Sequence, residues 1–131
     1  VSLDPEVRDF VTAGRNVAAF TTLFEDGTPQ TQVMWVDADD EHVLINTEVD
    51  RAKFRNVQRD PRVTVLVIAE DDPYRYVEVR GRVVETVGGD VARTHIDAMA
   101  QRYFGRDYDP DQIDSDRVLL RIAPDRVLRR F

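Results

Sequence analysis

Among its 131 residues the sequence has no cysteine, one tryptophan, two histidines and, beside seventeen arginines, a single lysine, Lys53. The missing thiols exclude disulfide staples, thiolate metal sites and cysteine nucleophiles together, and they fit a reducing compartment. Serine occurs only as Ser2 and Ser115, which leaves almost no material for a serine-nucleophile triad. His42 and His95 show no short metal-ligand spacing, so no metal site is expected and both read as ordinary surface residues. The longest purely apolar run, Val65 to Ala69, falls far short of the roughly 20 residues that cross a bilayer. A secretory leader opens on basic residues, whereas Ser2-Leu3-Asp4-Pro5-Glu6 carries acids. The expectation is a cytoplasmic protein with no membrane attachment.

Phosphate loops of the Walker or dinucleotide type are also missing, because Gly88-Gly89 has neither the spacing nor the lysine. Asp107-Tyr108-Asp109-Pro110-Asp111-Gln112 imitates the opening of a calcium loop. Its sixth position is Gln112 instead of glycine and its twelfth is Val118 instead of glutamate, so a solvated acidic loop is the expected reading.

What is present is enough for one packed domain over residues 1–131, since 42% of the residues are hydrophobic and 33% charged. The net charge of −7 argues against a duplex nucleic-acid binder, which needs a basic face to displace counterions. The charge is unevenly spread. Residues 51–62 hold Arg51, Lys53, Arg55, Arg59 and Arg62 against Asp60 alone, a local balance of +4 in a chain that is otherwise at −11. Such a concentration points either to a site for a small anion or to a helix with solvated arginines.

Periodicity supplies the elements. Asp4-Pro5 reads as an N-cap with proline at the first helical position, Leu3, Val7, Phe10 and Val11 share a face, and Gly14 stops the helix. Val17 to Leu23 and Thr31 to Val36 read as strands joined by a hairpin turn at Glu25-Asp26-Gly27. An acidic turn, Asp37 to Glu41, precedes a strand from Val43 to Thr47. Asp50 is expected to cap a short helix over the basic cluster, ending near Asp60 because Pro61 disfavours helical geometry before it. Val63 to Ala69 is continuously apolar, which implies burial on both faces. Tyr76 to Val84 alternates strictly, with Gly81 as a bulge. Gly88-Gly89-Asp90 opens a helix on which Ala92, Ile96, Met99 and Tyr103 share a face, closed by Gly105. Val118 to Ile122 and Val127-Leu128 read as two last strands interrupted by Pro124. Antiparallel strands with short inserted helices predict a mainly β protein curled into a small closed or half-closed barrel.

Around the basic cluster a strand ends in Asn46-Thr47 and a helix then begins with Arg51, Lys53 and Arg55, so the helix N-terminus adds its attraction for an anion. Lysine as a point charge and arginine as a fork divide the work around a phosphate. The block Thr47-x-x-Asp50-Arg51-Ala52-Lys53-x-Arg55-Asn56-x-x-Arg59-Asp60-Pro61-Arg62-Val63, with Pro29-x-x-Gln32-Val33-Met34-Trp35 before it and Tyr76-Val77-x-Val79-x-Gly81 after it, resembles the pyridoxamine-phosphate-oxidase-like split β-barrel family. Within that family it is most similar to the flavin/deazaflavin oxidoreductase branch that uses coenzyme F420, and the resemblance covers about residues 5 to 131.

The resemblance implies an antiparallel split β-barrel and a homodimer that binds its cofactor in a groove between subunits. It also implies hydride transfer from the deazaflavin to an electron-poor small organic acceptor. Lys53, Arg51, Arg55 and Asn56 would hold the phosphate, Asn46 and Thr47 would add polar contacts, and Gln32, Val33, Met34 and Trp35 would line the ring. Tyr76 and Arg80 would reach the site from the partner. Where the pyridoxamine-phosphate oxidases carry an arginine and then a lysine on the first of these strands, this sequence has Gln32 and Asp37. That departure argues against vitamin B6 oxidation and weakens the case for FMN, which stays the alternative cofactor on this fold. The surplus of arginine at 51, 55, 59 and 62 favours the deazaflavin, whose carboxylate tail has more charge to engage. A non-catalytic store for the coenzyme is the reading from another class. No side chain stands out as a proton donor. Trp35 is either core or ring contact, and because Met34 faces the other way, one of the two packs while the other is free to stack.

Overall fold

Capping and closure begin at the N-terminus, where the Asp4 carboxylate accepts the Glu6 N–H at 2.8 Å and Pro5 occupies the first turn. The helix they start, α1, runs Pro5–Thr12 and buries Val7, Phe10 and Val11. The computed structural model describes residues 2–131. Beyond α1 the strands are β1 (Val17–Leu23), β2 (Pro29–Trp35), β3 (Asp37–Ala38), β4 (Val43–Glu48), β5 (Arg62–Ile68), β6 (Tyr76–Val87) and β7 (Arg117–Arg130). Helix α2 (Ala52–Arg59) follows β4, and α3 (Gly89–Phe104) follows β6.

The strands form one antiparallel sheet in the order β2-β1-β5-β6-β7-β4-β3. Its two edge strands, β2 and β3, are separated in sequence by Val36 alone, and Val36 is fully buried. A flat sheet cannot place its opposite edges one residue apart, so the sheet curls until they meet: the fold is a split β-barrel. Phe20, Ile45, Val65, Val79, Leu120 and Ile122 point inward and fill it. Among the described residues no helix is long and apolar enough to cross a membrane.

Several local expectations are met. Gly27 turns the β1–β2 hairpin at φ +86°, and Gly105 ends α3 in the left-handed region, its N–H on the Gln101 carbonyl at 2.9 Å. The register of β6 against β7 shifts at Gly81 as the bulge requires. A Cβ at Gly81 would lie 2.2 Å from the Ala123 carbonyl oxygen.

Three expectations are corrected. The final segment is one strand through Pro124, because Pro124 pairs with Gly81 at the register shift, where the ladder is already irregular and tolerates a missing N–H. Strand β5 alternates within this chain instead of burying both faces: Val63, Val65 and Val67 point inward while Thr64, Leu66 and Ile68 are half-exposed on the outer surface. Helix α2 starts after Arg51 with no side-chain cap, and the Asp50 carbonyl instead accepts the Arg55 guanidinium at 2.6 Å.

Candidate functional site

Because β2 pairs only with β1, alternate N–H and C=O groups along its other edge have no ladder partner. Between that edge, the end of β4, the start of α2 and one face of α3 lies a pocket of about 400 Å³. Gln32, Val33, Met34 and Trp35 line it from β2, and Asn46 and Thr47 from β4. Arg51 and Lys53 line it at the start of α2. Met34 also packs against the barrel core, whereas Trp35 leans on α3, stacked on Tyr103 at 5.0 Å with Phe104 and Tyr108 at its edges. The alternation of the strand thus sends the two side chains to different layers.

One end of the pocket is cationic. The Glu48 carboxylate, almost fully buried, accepts the Asp114 and Ser115 N–H groups at 2.7 Å each and faces Arg51 at 3.2 Å and Arg117 at 3.3 Å. Burial opposes its ionisation, but those two amides and two guanidiniums outweigh the effect and hold the carboxyl below its ordinary range. Arg117 is itself buried beneath the Tyr108 ring and donates from Nε to the Asn46 side-chain oxygen at 2.9 Å. Lys53, half-buried beside them, has no ion-pair partner among the described residues. Burial, with Arg51 and Arg117 adding repulsion, lowers its ammonium below the usual lysine value. Arg51 also pairs with Asp114 at 3.2 Å, so Lys53 is the pocket cation left without a carboxylate partner among the described residues.

The structure does not bring every candidate here. Arg55 is turned to the Asp50 carbonyl, and the Asn56 amide is buried on Thr22 Oγ1 at 3.0 Å and Gln30 Oε1 at 3.3 Å, tying α2 to the β1–β2 hairpin. The arginine surplus is spent elsewhere: Arg59 donates to the Leu23 carbonyl and to Asn56, and Arg62 pairs with Asp60 at 2.7 Å. Tyr76 and Arg80 lie on β6 outside this pocket, with Arg80 paired to Glu78 at 2.8 Å.

Residues missed from the sequence are Glu48, Tyr108, Arg117 and His95. His95 is no surface histidine; it forms part of the pocket wall, with Nε2 3.0 Å from the Asp37 carboxylate. Glu48 directly follows the Asn46-Thr47 pair in β4. Arg117 was one arginine among seventeen until the β4–β7 register set it opposite Glu48. The acidic loop after α3 is exposed, with a short 3-10 turn at Pro110–Gln112, and no metal-ligating cluster occurs among the described residues.

Comparison with known proteins agrees with this architecture. The family model for pyridoxamine 5'-phosphate oxidase matches residues 3–131. A solved F420 reductase is 32% identical, with a TM-score of 0.81 over 95% of this chain and 98% of that one. A conserved hypothetical protein of Mycobacterium tuberculosis is 29% identical, with a TM-score of 0.75 over 97% of this chain and 83% of that one. General stress protein 26 of Bacillus anthracis, at 22% identity and a TM-score of 0.67 over 95% and 96%, shares the fold. With the sheet order, the edge-strand pocket and a match across nearly the whole sequence, the chain belongs to the pyridoxamine 5'-phosphate oxidase-like family of split β-barrels.

Proposed function

We propose that the protein is an oxidoreductase that binds the deazaflavin coenzyme F420 in the β2–β4 pocket and passes hydride to an electron-poor small organic acceptor. The observation that carries this reading is Lys53, a half-buried cation with no ion-pair partner among the described residues, sharing the pocket with Arg51 and Arg117. An unpaired ammonium beside two guanidiniums is unfavourable by itself and is relieved by a bound phosphate. The residues present therefore fit a phosphorylated flavin or deazaflavin: the cations hold the anionic end, and the free edge of β2 with Met34 and Trp35 offers backbone hydrogen bonds and an apolar surface to a polar-edged ring. When bound, the coenzyme supplies the hydride chemistry.

The chain's own part is positioning and exclusion of water, and these account for most of the rate. Trp35, locked against Tyr103, fixes one wall, and Ile96 and Met99 of α3 close the apolar side. The choice of F420 rests on similarity to the F420 reductase. The proposal includes a cytoplasmic homodimer in which the half-exposed Leu66 and Ile68 face joins the subunits and brings the partner copy's β6, with its Tyr76 and Arg80 positions, to the site.

One observation favours FMN as a second reading: with Arg55, Arg59 and Arg62 committed elsewhere and Arg51 paired with Glu48 and Asp114, the pocket keeps few cations for a ligand, which suits a phosphomonoester without a tail. Thermal unfolding with each coenzyme added separately decides between them. F420 is expected to raise the midpoint more than FMN, and an equal or larger shift with FMN transfers the assignment. Oxidation of the reduced coenzyme by a panel of quinones and enones then separates an enzyme from a coenzyme store, for which no acceptor would be turned over.

A further inference from the structure

Asn46 lies in β4 at 7% exposure, and the chemistry of its neighbours fixes the direction of every hydrogen bond it makes. Arg117 Nε, which can only donate, lies 2.9 Å from the side-chain oxygen. The Ala92 carbonyl, which can only accept, lies 2.9 Å from the side-chain nitrogen. The two partners agree on one orientation of the amide. Its second N–H then meets His95 Nδ1 at 3.0 Å, and that ring nitrogen must present a lone pair. An imidazole with a lone pair on Nδ1 carries its proton on Nε2, which lies 3.0 Å from the Asp37 carboxylate, an acceptor. Arg117, Asn46, His95 and Asp37, drawn from β7, β4, α3 and β3, thus form one directed chain whose first three members line the pocket.

We propose that Asn46 is a positioning residue that locks His95 as its neutral Nε2–H tautomer and, through the same amide, aims Arg117 at the anionic end of the pocket. The imidazole wall and the anion-binding guanidinium are set as one unit. A proton on Nδ1 would place N–H against N–H. Turning the amide over to relieve that contact would point its nitrogen at Arg117, so the His95 tautomer and the Arg117 aim cannot change independently. Both imidazole nitrogens are consumed inside the protein, and His95 is therefore a wall of the pocket and not its proton donor. Only the Arg117 half of the proposal rests on the coenzyme reading; the tautomer half stands on the hydrogen bonds alone.

The test is long-range proton–nitrogen NMR of the nitrogen-15-labelled protein. His42 is the only other histidine, so His42→Gln assigns the signals. The unmodified protein at neutral pH is expected to show His95 Nδ1 unprotonated and Nε2 protonated. Asn46→Asp keeps the shape and the oxygen facing Arg117 but replaces the donor facing both Nδ1 and the Ala92 carbonyl by an acceptor, and His95 is expected to gain a proton at Nδ1. Asn46→Leu removes both ends, and affinity for F420 and for FMN is expected to fall roughly tenfold, the worth of one charge-assisted contact. A proton on Nδ1 in the unmodified protein, or an unchanged His95 spectrum in Asn46→Asp, overturns the tautomer lock. Unchanged coenzyme affinity in Asn46→Leu overturns the coupling to Arg117. If neither coenzyme binds the unmodified protein, the coenzyme reading fails while the spectrum still decides the tautomer.

Discussion

Trp35 stacks on Tyr103 with ring centroids 5.0 Å apart and planes 5° from parallel. Trp35 is the last residue of β2, and Tyr103 stands in the last turn of α3, so the stack ties the free edge of the barrel to the helix that walls the pocket. The Tyr103 hydroxyl extends the clamp by donating to the Asn16 carbonyl and accepting the Val36 N–H at 3.3 Å. Val36 is the residue at which the barrel closes. The ring end of the pocket therefore inherits its shape from two aromatic rings and one buried hydroxyl.

Replacing that hydroxyl tests the clamp. Tyr103→Phe preserves the stack but strands the Val36 N–H and the Asn16 carbonyl in a buried setting, and a loss of about 2 kcal/mol in unfolding free energy is expected. Urea titration should show a lower midpoint with an unchanged slope, since the surface exposed on unfolding stays the same.

Lys53 is placed for a ligand and not for stability. Lys53→Met should weaken coenzyme binding by about thirtyfold, corresponding to about 2 kcal/mol, while the unliganded protein melts no earlier than its parent. Burial, joined by Arg51 and Arg117, lowers the Lys53 ammonium below 10.5 in the folded chain. Just below that value the unfolded chain binds more protons, so folding stability rises as pH approaches 10.5. Melting curves across the alkaline range should show this rise in the parent and lose it in Lys53→Met. Normal coenzyme affinity in the variant would place the phosphate elsewhere.

Glu48 works in the opposite direction. Burial raises its carboxyl, the Ser115 and Asp114 amides and the Arg51 and Arg117 guanidiniums more than offset this, and the folded value lies below 4.5. The stability it contributes is complete above that ordinary value and is lost as pH falls through the folded one. Glu48→Gln should destabilise the protein by about 3 kcal/mol at neutral pH by leaving the buried Arg117 guanidinium uncompensated. Acid unfolding followed by circular dichroism should show a shallower pH dependence in the variant. A variant as stable as the parent at neutral pH would mean that Arg117 is neutralised by another group.

Features decided within a few residues were legible in the sequence alone. Asp4-Pro5 capped α1, Gly27 turned a hairpin, Gly81 marked a bulge, and the α3 face of Ala92, Ile96, Met99 and Tyr103 is the buried one. The Asn46-Thr47 pair, Arg51 and Lys53 could be flagged because a polar strand end followed by basic residues is a local pattern, whereas the stretch from Gln32 to Trp35 was legible only through the family resemblance. What the tertiary structure alone decided is pairing across long separations. Which of seventeen arginines stands opposite Glu48 depends on the β4–β7 register, and that register made Arg117 a pocket residue while side-chain geometry withdrew Arg59 and Arg62 to Leu23 and Asp60. The placing of His95 between Asn46 and Asp37 likewise needs α3 docked on β4. Hydrophobic periodicity records which face of an element is buried, but a charged or polar side chain takes its role from whatever partner the closed barrel sets against it.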